Sequence, residues 1–249
     1  MVVLSTGAAA APGQVNPAYS AFQPGFNAGT SSTAPADWLA ANGGAFPAAP
    51  GCPPAIDATA YDSVMLTLRV RVPSYAHSFK VSAKFFAADF PEFVCSSYND
   101  VFVVLLDSTY NGSPVNPADK NVATYMAPTS DRYPVGVNLA SGNTGLFTDC
   151  VNGATGCFSG VPGAITTCTG TSGLTGTGFD VLVSGQCTPN TPVGGGSNWL
   201  TIRGNVLPGE IITLRFAIWD TGDGASDSLV LLDDFAWVTD TVVPGATPE

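Results

Sequence analysis

Charge is what this sequence has least of. Charged residues make up 11% of its 249 positions, against about 25% in ordinary soluble domains. Eight of them are lysine or arginine and 19 are aspartate or glutamate. The resulting net charge of −11 and isoelectric point near 4.1 repel a phosphate backbone, which excludes nucleic acid and an anionic membrane surface as partners. Surface helices laced with Glu–Lys pairs are excluded by the same shortage. Long apolar runs are missing too. None approaches the ~18 residues of a membrane-spanning helix, so no direct membrane insertion is expected. The single histidine, His77, removes HExxH zinc chemistry, and no GxSxG elbow offers a nucleophile for a Ser-His-Asp triad. No CxxC pair marks a zinc site, and no repeat of fixed period is evident.

Turn-formers and cysteines occupy the room that charge leaves. There are 28 glycines and 20 prolines, the composition of a chain with many turns and short strands. The six cysteines, Cys52, Cys95, Cys150, Cys157, Cys168 and Cys187, point to three disulfides made in an oxidising compartment, with the pairing open and scattered buried thiols as the alternative. Residues Val2 to Gly7 carry no n-region, h-region or cleavage site. The cysteines lead to an expected extracellular or cell-surface address, with any export signal removed or outside this chain.

Residues 7–60 are rich in Ala, Pro, Gly and Asn and read as an irregular covering segment, apart from one helical turn over Ala36 to Ala41 closed at Asn42-Gly43. Val64, Leu66, Leu68, Val70 and Val72 then share one face, opposite Ser63, Thr67, Arg69 and Arg71, as in a half-buried strand. Phe79, Val81, Ala83 and Phe85 alternate with Lys80, Ser82 and Lys84 in a second strand, and the apolar run Val101 to Leu106 suits a strand covered on both faces. Residues 140–198 hold four of the cysteines and read as a disulfide-tied loop insertion with a short strand from Phe179 to Val183. Strand patterns resume at Leu200, Ile212 and Leu229, the last two joined through the turn dipeptide Asp223-Gly224. Residues 241–249 read as a C-terminal linker leaving a single domain, 1–240. Many short strands and long decorated loops predict an all-β, antiparallel β-sandwich of jelly-roll type.

The chemistry concentrates in acidic loops. Asp220, Asp223, Asp227, Asp233 and Asp234 offer a hard cation such as calcium enough oxygens, beside glycines that let a loop wrap it. Strand neighbours face opposite ways, so one of Asp233 and Asp234 is expected to point inward. A buried carboxylate must be hydrogen-bonded, paired or metal-bound, and only three lysines and five arginines are present to pair with it. Loop amides are the structural alternative, and the spacing does not fit an EF-hand. Asp89, Glu92, Asn99 and Asp100 form a second acidic group whose bland reading is turn capping. If the two groups meet in space, a single calcium site built from both loops follows, with Asp57 or Asp62 as contributors. Paired carboxylates also serve glycosidases, though acidic turns are common. Trp219 and Trp237 sit in apolar strands and are expected in the core. Tyr110, Tyr125 and Tyr133 lie in polar surroundings and are the candidate ligand-binding platforms. His77, in a polar loop, is expected to be solvated.

The opening Val2-Val3-Leu4-Ser5-Thr6-Gly7, the stretch FFAADFPEFVCSSYNDVF from Phe85 to Phe102, and the close from Ala217-Ile218-Trp219-Asp220 through Asp227-Ser228 to Leu232-Asp233-Asp234-Phe235 together resemble the choice-of-anchor L domain family of secreted bacterial surface proteins. That family's corresponding patterns are IVLSTG, FASEEYPEFVGSxFNDVF and DxxDxxxDSxVxIDDF. Ala88 and Asp89 stand where the family carries two glutamates, and the cysteine-rich insertion lies outside its core pattern. The resemblance implies a fold and a location more firmly than a biochemical role. With the acidic loops and the cysteines it leads to an expected function: a non-enzymatic, calcium-stabilised extracellular surface protein, acting in adhesion or as a subunit of an extracellular assembly or filament. Its partners would be other surface proteins, glycans or copies of itself as a homo-oligomer. A carbohydrate-binding module is the alternative, and a secreted glycoside hydrolase a remoter one.

Overall fold

The computed structural model of the chain describes residues 1–7, 27–158, 161–180, 187 and 194–249. In chain order the elements are β1 (Val2–Ser5), β2 (Ser31–Thr33), α1 (Ala36–Ala41), β3 (Thr59–Arg71), β4 (Ser78–Ala87), β5 (Val101–Asp107), β6 (Thr124–Met126), β7 (Arg132–Gly136), β8 (Phe147–Asp149), β9 (Gly153–Thr155), β10 (Gly163–Ile165), β11 (Gly195–Ser197), β12 (Leu200–Asn205), β13 (Ile211–Thr221), β14 (Ser228–Val238) and β15 (Gly245–Pro248). The fold is all-β, as the alternation predicts. One curled sheet runs β1-β14-β4-β12-β15-β6-β7-β5-β13-β3-β2, with β11 and β8 joined beside β4, and β9 and β10 make a separate hairpin. The pairing is antiparallel except between β15 and β6, which run parallel.

The curl lays the long strands β14, β4 and β12 over β3, β13 and β5, as in a sandwich. Phe79, Val81 and Phe85 of β4, Ile202 of β12 and Val230 of β14 meet Ile212, Leu214, Phe216 and Ile218 of β13 and Phe102, Val104 and Leu106 of β5 in one core. Non-directional burial of these apolar faces is what holds the two layers together. The outer face of β5 and β13 is covered as well. Val101, Val103, Leu105, Ala217 and Trp219 pack beneath Trp38 of α1 and Phe46, so the unbroken apolar run of β5 is buried on both sides. The helix forms over the six residues anticipated, with Asn42 at its C-terminal cap. Arg215 and Lys120 pin it by pairing with its Asp37, and the Arg215 contact holds the Asp37 carboxyl well below its ordinary range.

Three disulfides close the loops: Cys52–Cys95, Cys150–Cys168 and Cys157–Cys187. The first ties the covering segment to the turn after β4, and the others tie the insertion to itself. That insertion covers the outer face of β4 and β14, where Phe179 and Leu174 pack on Phe86 and Leu229, and Lys84 of β4 pairs with Asp149 of β8. No helix among the described residues is long and apolar enough to cross a membrane.

Two expectations need correction. Phe179 and Asp180 lie in a turn and not a strand, and 181–183 fall outside the described residues. The segment read as a C-terminal linker contains β15, which pairs with β12 from Leu200↔Pro248 to Arg203↔Gly245. Its Pro and Gly content suggests a tail, but β12 offers an open edge, and Ala246 is buried against it. Pro248 occupies the last position of the strand, where a missing N–H costs least.

Candidate cation site

One end of the sandwich gathers the turns that carry the acids. β4 ends in the turn that holds Asp89, and β5 begins directly after Asp100. β13 ends at Asp220 and Thr221, and β14 begins directly after Asp227. In β13, Ile218 faces the core between the layers and Trp219 faces the outer cluster under α1. Period-two alternation returns Asp220 to the inside. A register shift between Ile218 and Asp220 in the pairing with β3 sets the strand's last turn. As a result Asp89, Asp100, Asp220 and Asp227 are 3%, 1%, 1% and 0% exposed. The two acidic groups of the sequence therefore meet.

Their partners are unequal. Asp100 is well held: the Thr221 N–H donates to its Oδ1 at 2.9 Å and the Ser228 hydroxyl to its Oδ2 at 2.7 Å. The Thr6 hydroxyl lies 3.5 Å from Asp227 Oδ1. Among the described residues neither carboxylate oxygen of Asp220 receives a hydrogen bond from a donor group; only a proton shared with the neighbouring Asp100 would reach it. Thr6 lies near enough to ease the Asp220 charge, but its hydroxyl is already engaged with Ser228 O and Asp227. Among the described residues no lysine or arginine pairs with Asp89, Asp100 or Asp220; the basic side chains in ion pairs, Lys84, Lys120, Arg132 and Arg215, serve other aspartates.

The electrostatics follow from burial without countercharge. Burial, then the neighbouring Asp100, raises the Asp89 carboxyl well above its ordinary value. Burial raises Asp100 to about 7, against the opposing hydrogen bonds from Ser228 and Thr221. Burial, then the charge of Asp100, pushes Asp220 up to about 12. Such a cluster persists in a folded protein either by keeping protons at neutral pH or by taking a cation.

The donor set suits a hard ion, since calcium takes carboxylate and hydroxyl oxygens, and the orphaned oxygens of Asp220 are the atoms such an ion would satisfy. The carboxylates form a chain of neighbours, Asp89 to Asp100 to Asp220 to Asp227. In this arrangement no three acidic, histidine or cysteine side chains among the described residues enclose a common point. Asp62 provides a contrast inside the same protein. It is 3% exposed, yet its oxygens accept from the N–H of Ala28, the N–H of Thr30 and the Thr30 hydroxyl, each at 2.8 Å. Asp62 has the amide cradle that Asp220 lacks.

Several anticipated ligands lie elsewhere. Asp233 and Asp234 are both exposed. The register of β14 on β4 shifts between Asp233 and Ala236, and Asp234 adopts a left-handed φ of 52°. The bulge absorbs the residue that alternation would have sent inward. Asp233 accepts from the Asp234 N–H and pairs with the terminal amine of Met1, contacts that lower its pKa. Asp223 is exposed and caps its own turn through the Ala225 N–H at 2.9 Å. Its charge reaches Asp89. Asn99 accepts from the Asn138 N–H at 3.2 Å, so it anchors a loop. Asp57, also exposed, accepts from the Thr59 N–H. Glu92 is buried beside the cluster's loop.

Among the tyrosines, Tyr133 is 8% exposed and belongs to the core, with Tyr125 beside it at 6.4 Å between ring centres. Tyr110 lines a cavity of about 470 Å³ with Asp107, Asn116, Lys120, Ile211 and Thr213. Trp219 is in the core as anticipated, whereas Trp237 is only partly buried, edge-on to Phe235. His77 is exposed. The residues that sequence reasoning missed are Thr6 and Ser228, small hydroxyl side chains about the cluster. They lie 222 positions apart, and nothing short of the β1–β14 pairing joins them. Comparison with protein-family models, with curated proteins and with solved structures finds no match to this chain.

Proposed function

We propose that the protein is a non-enzymatic β-sandwich of the extracellular bacterial surface, stabilised by calcium and acting in adhesion or as a subunit of an extracellular assembly. The observation that carries the ion is Asp220, 1% exposed with two unbonded oxygens among three other buried carboxylates. An ion would draw these side chains together by rotation about their own torsions, and it would supply the countercharge that the chain's few basic residues do not. Three disulfides favour an oxidising compartment, and the resemblance of the three sequence segments to choice-of-anchor L domains favours the bacterial surface. The burial of the acids argues against glycosidase chemistry, which needs an acid pair flanking a sugar in an open cleft.

The test is the melting temperature of chelator-treated protein titrated with calcium. A ligand that binds only the folded state stabilises it by about 2.7 kcal/mol at a hundred times its Kd, so a clear rise is expected. No shift at millimolar calcium rejects the ion. Light scattering on the same samples separates a monomeric adhesin from a self-assembling subunit. A second reading, carbohydrate binding, is favoured by the cavity at Tyr110. A glycan array on which Tyr110→Ala abolishes a signal supports it, and an array without hits removes it.

A further inference from the structure

The acid cluster has one wall unlike the others. β14 is flanked by β1 and β4, β13 by β3 and β5, β4 by β14 and β12, and β5 by β13 and β7. Among the described strands β1 pairs with β14 alone, over four residues from Val2↔Leu232 to Ser5↔Leu229, and its Val2 and Val3 side chains are 45% and 41% exposed. Its apolar anchor is a single side chain, Leu4, 7% exposed in the core.

Its inner end is held by polar contacts at the cluster. The Thr6 N–H donates to Ser228 O at 3.0 Å, and the Ser228 N–H donates to Thr6 Oγ1 at 2.8 Å. Gly7 lies so close to Asp227 that a Cβ on it would sit 2.5 Å from Oδ2 and 2.6 Å from Cγ. The backbone of the N-terminal segment is thus in van der Waals contact with one of the carboxylates.

We propose that β1 is the latch of the cation site: the Thr6 hydroxyl joins the carboxylates as an oxygen donor to calcium, and the ion in turn fixes β1 on the edge of β14. The proposal rests on the calcium reading above. A wall paired on one side only is the one that opens most readily, and an ion held by the Thr6 hydroxyl and the carboxylates together would tie that wall to the rest of the cluster. The N-terminal strand is then ordered by the ion to a greater degree than the rest of the sandwich.

Amide hydrogen exchange on the full chain, in chelator and in millimolar calcium, tests this together with calcium affinities of variants. Residues 2–6 are expected to gain at least ten-fold more protection from calcium than β12, which lies away from the cluster. Gly7→Ala, which drives a methyl into Asp227 without removing an oxygen donor, is expected to weaken calcium binding ten-fold or more. If it does not fold, Thr6→Ser and Thr6→Val replace it, the serine keeping affinity and the valine losing it. If calcium raises the melting temperature but residues 2–6 gain no more than β12, the latch is wrong and the calcium reading stands. If calcium changes neither exchange nor melting anywhere, the calcium reading itself fails and the latch with it.

Discussion

Raising the pH of the calcium-free protein from 5 to 7 destabilises it, against the usual behaviour of a protein rich in paired carboxylates. The effect arises at Asp100, whose pKa rises from 3.8 to about 7 on folding. Below 3.8 both folded and unfolded chains hold the proton, and the folded state keeps the full benefit of the raised pKa. Between 3.8 and 7 the unfolded chain has released its proton and the folded chain has not, so each added pH unit favours unfolding. A shift of about three units at 1.36 kcal/mol each amounts to about 4 kcal/mol in all. The two units between pH 5 and pH 7 carry about 3 kcal/mol of it, or roughly 6–12 °C in melting temperature for a chain of this size. Asp220, raised to about 12, and Asp89, raised well above its ordinary value, add to the slope in the same direction. The assay is thermal melting in chelator at constant ionic strength. Asp100→Asn removes the Asp100 contribution to the slope, and calcium at the proposed site, by taking the ionised form, would flatten it. A melting temperature that is level or rising from pH 5 to pH 7 in the chelated protein refutes the reasoning.

Three further outcomes follow from the packing. Trp38→Ala opens a cavity between α1 and the face of β13, where Trp38 meets Phe46 and Trp219 at 5.9 and 5.5 Å, and should cost about 3–5 kcal/mol in denaturant unfolding. Replacing Cys52 and Cys95 together by alanine frees a loop of 43 residues and should cost about 2–5 kcal/mol by the same measurement. Asp234→Asn, on an exposed bulge, should leave calcium affinity and melting temperature unchanged, whereas Asp62→Asn should lower the melting temperature and leave calcium affinity intact.

The strands were legible because each long one carries a physical pattern that survives in one dimension. Val64 to Val72 alternate, Val101 to Leu106 do not, and the structure half-buries the first and covers the second on both faces. The turn over Ala36 to Ala41 was legible from its closing Asn-Gly. The site was only half legible. Asp220 lies inside because the alternation of β13 leads there; Asp227, in the turn before β14, is buried with no strand pattern to announce it. Asp233 and Asp234 lie outside because a one-residue bulge inverts the alternation, and no residue type announces a bulge at that point. Thr6 was invisible because its role depends on a pairing between the two ends of the chain. β15 was misread because Pro and Gly signal a tail only when no open strand edge is near.

The central claim is that the buried carboxylates at the end of β13 and the start of β14 hold a divalent cation. Isothermal titration of the chelated protein with calcium at pH 7.5 tests it most directly. The account predicts one ion per chain, bound with release of protons from the cluster and lost in Asp220→Asn. Titration that yields no binding heat, together with a melting temperature indifferent to calcium, contradicts it.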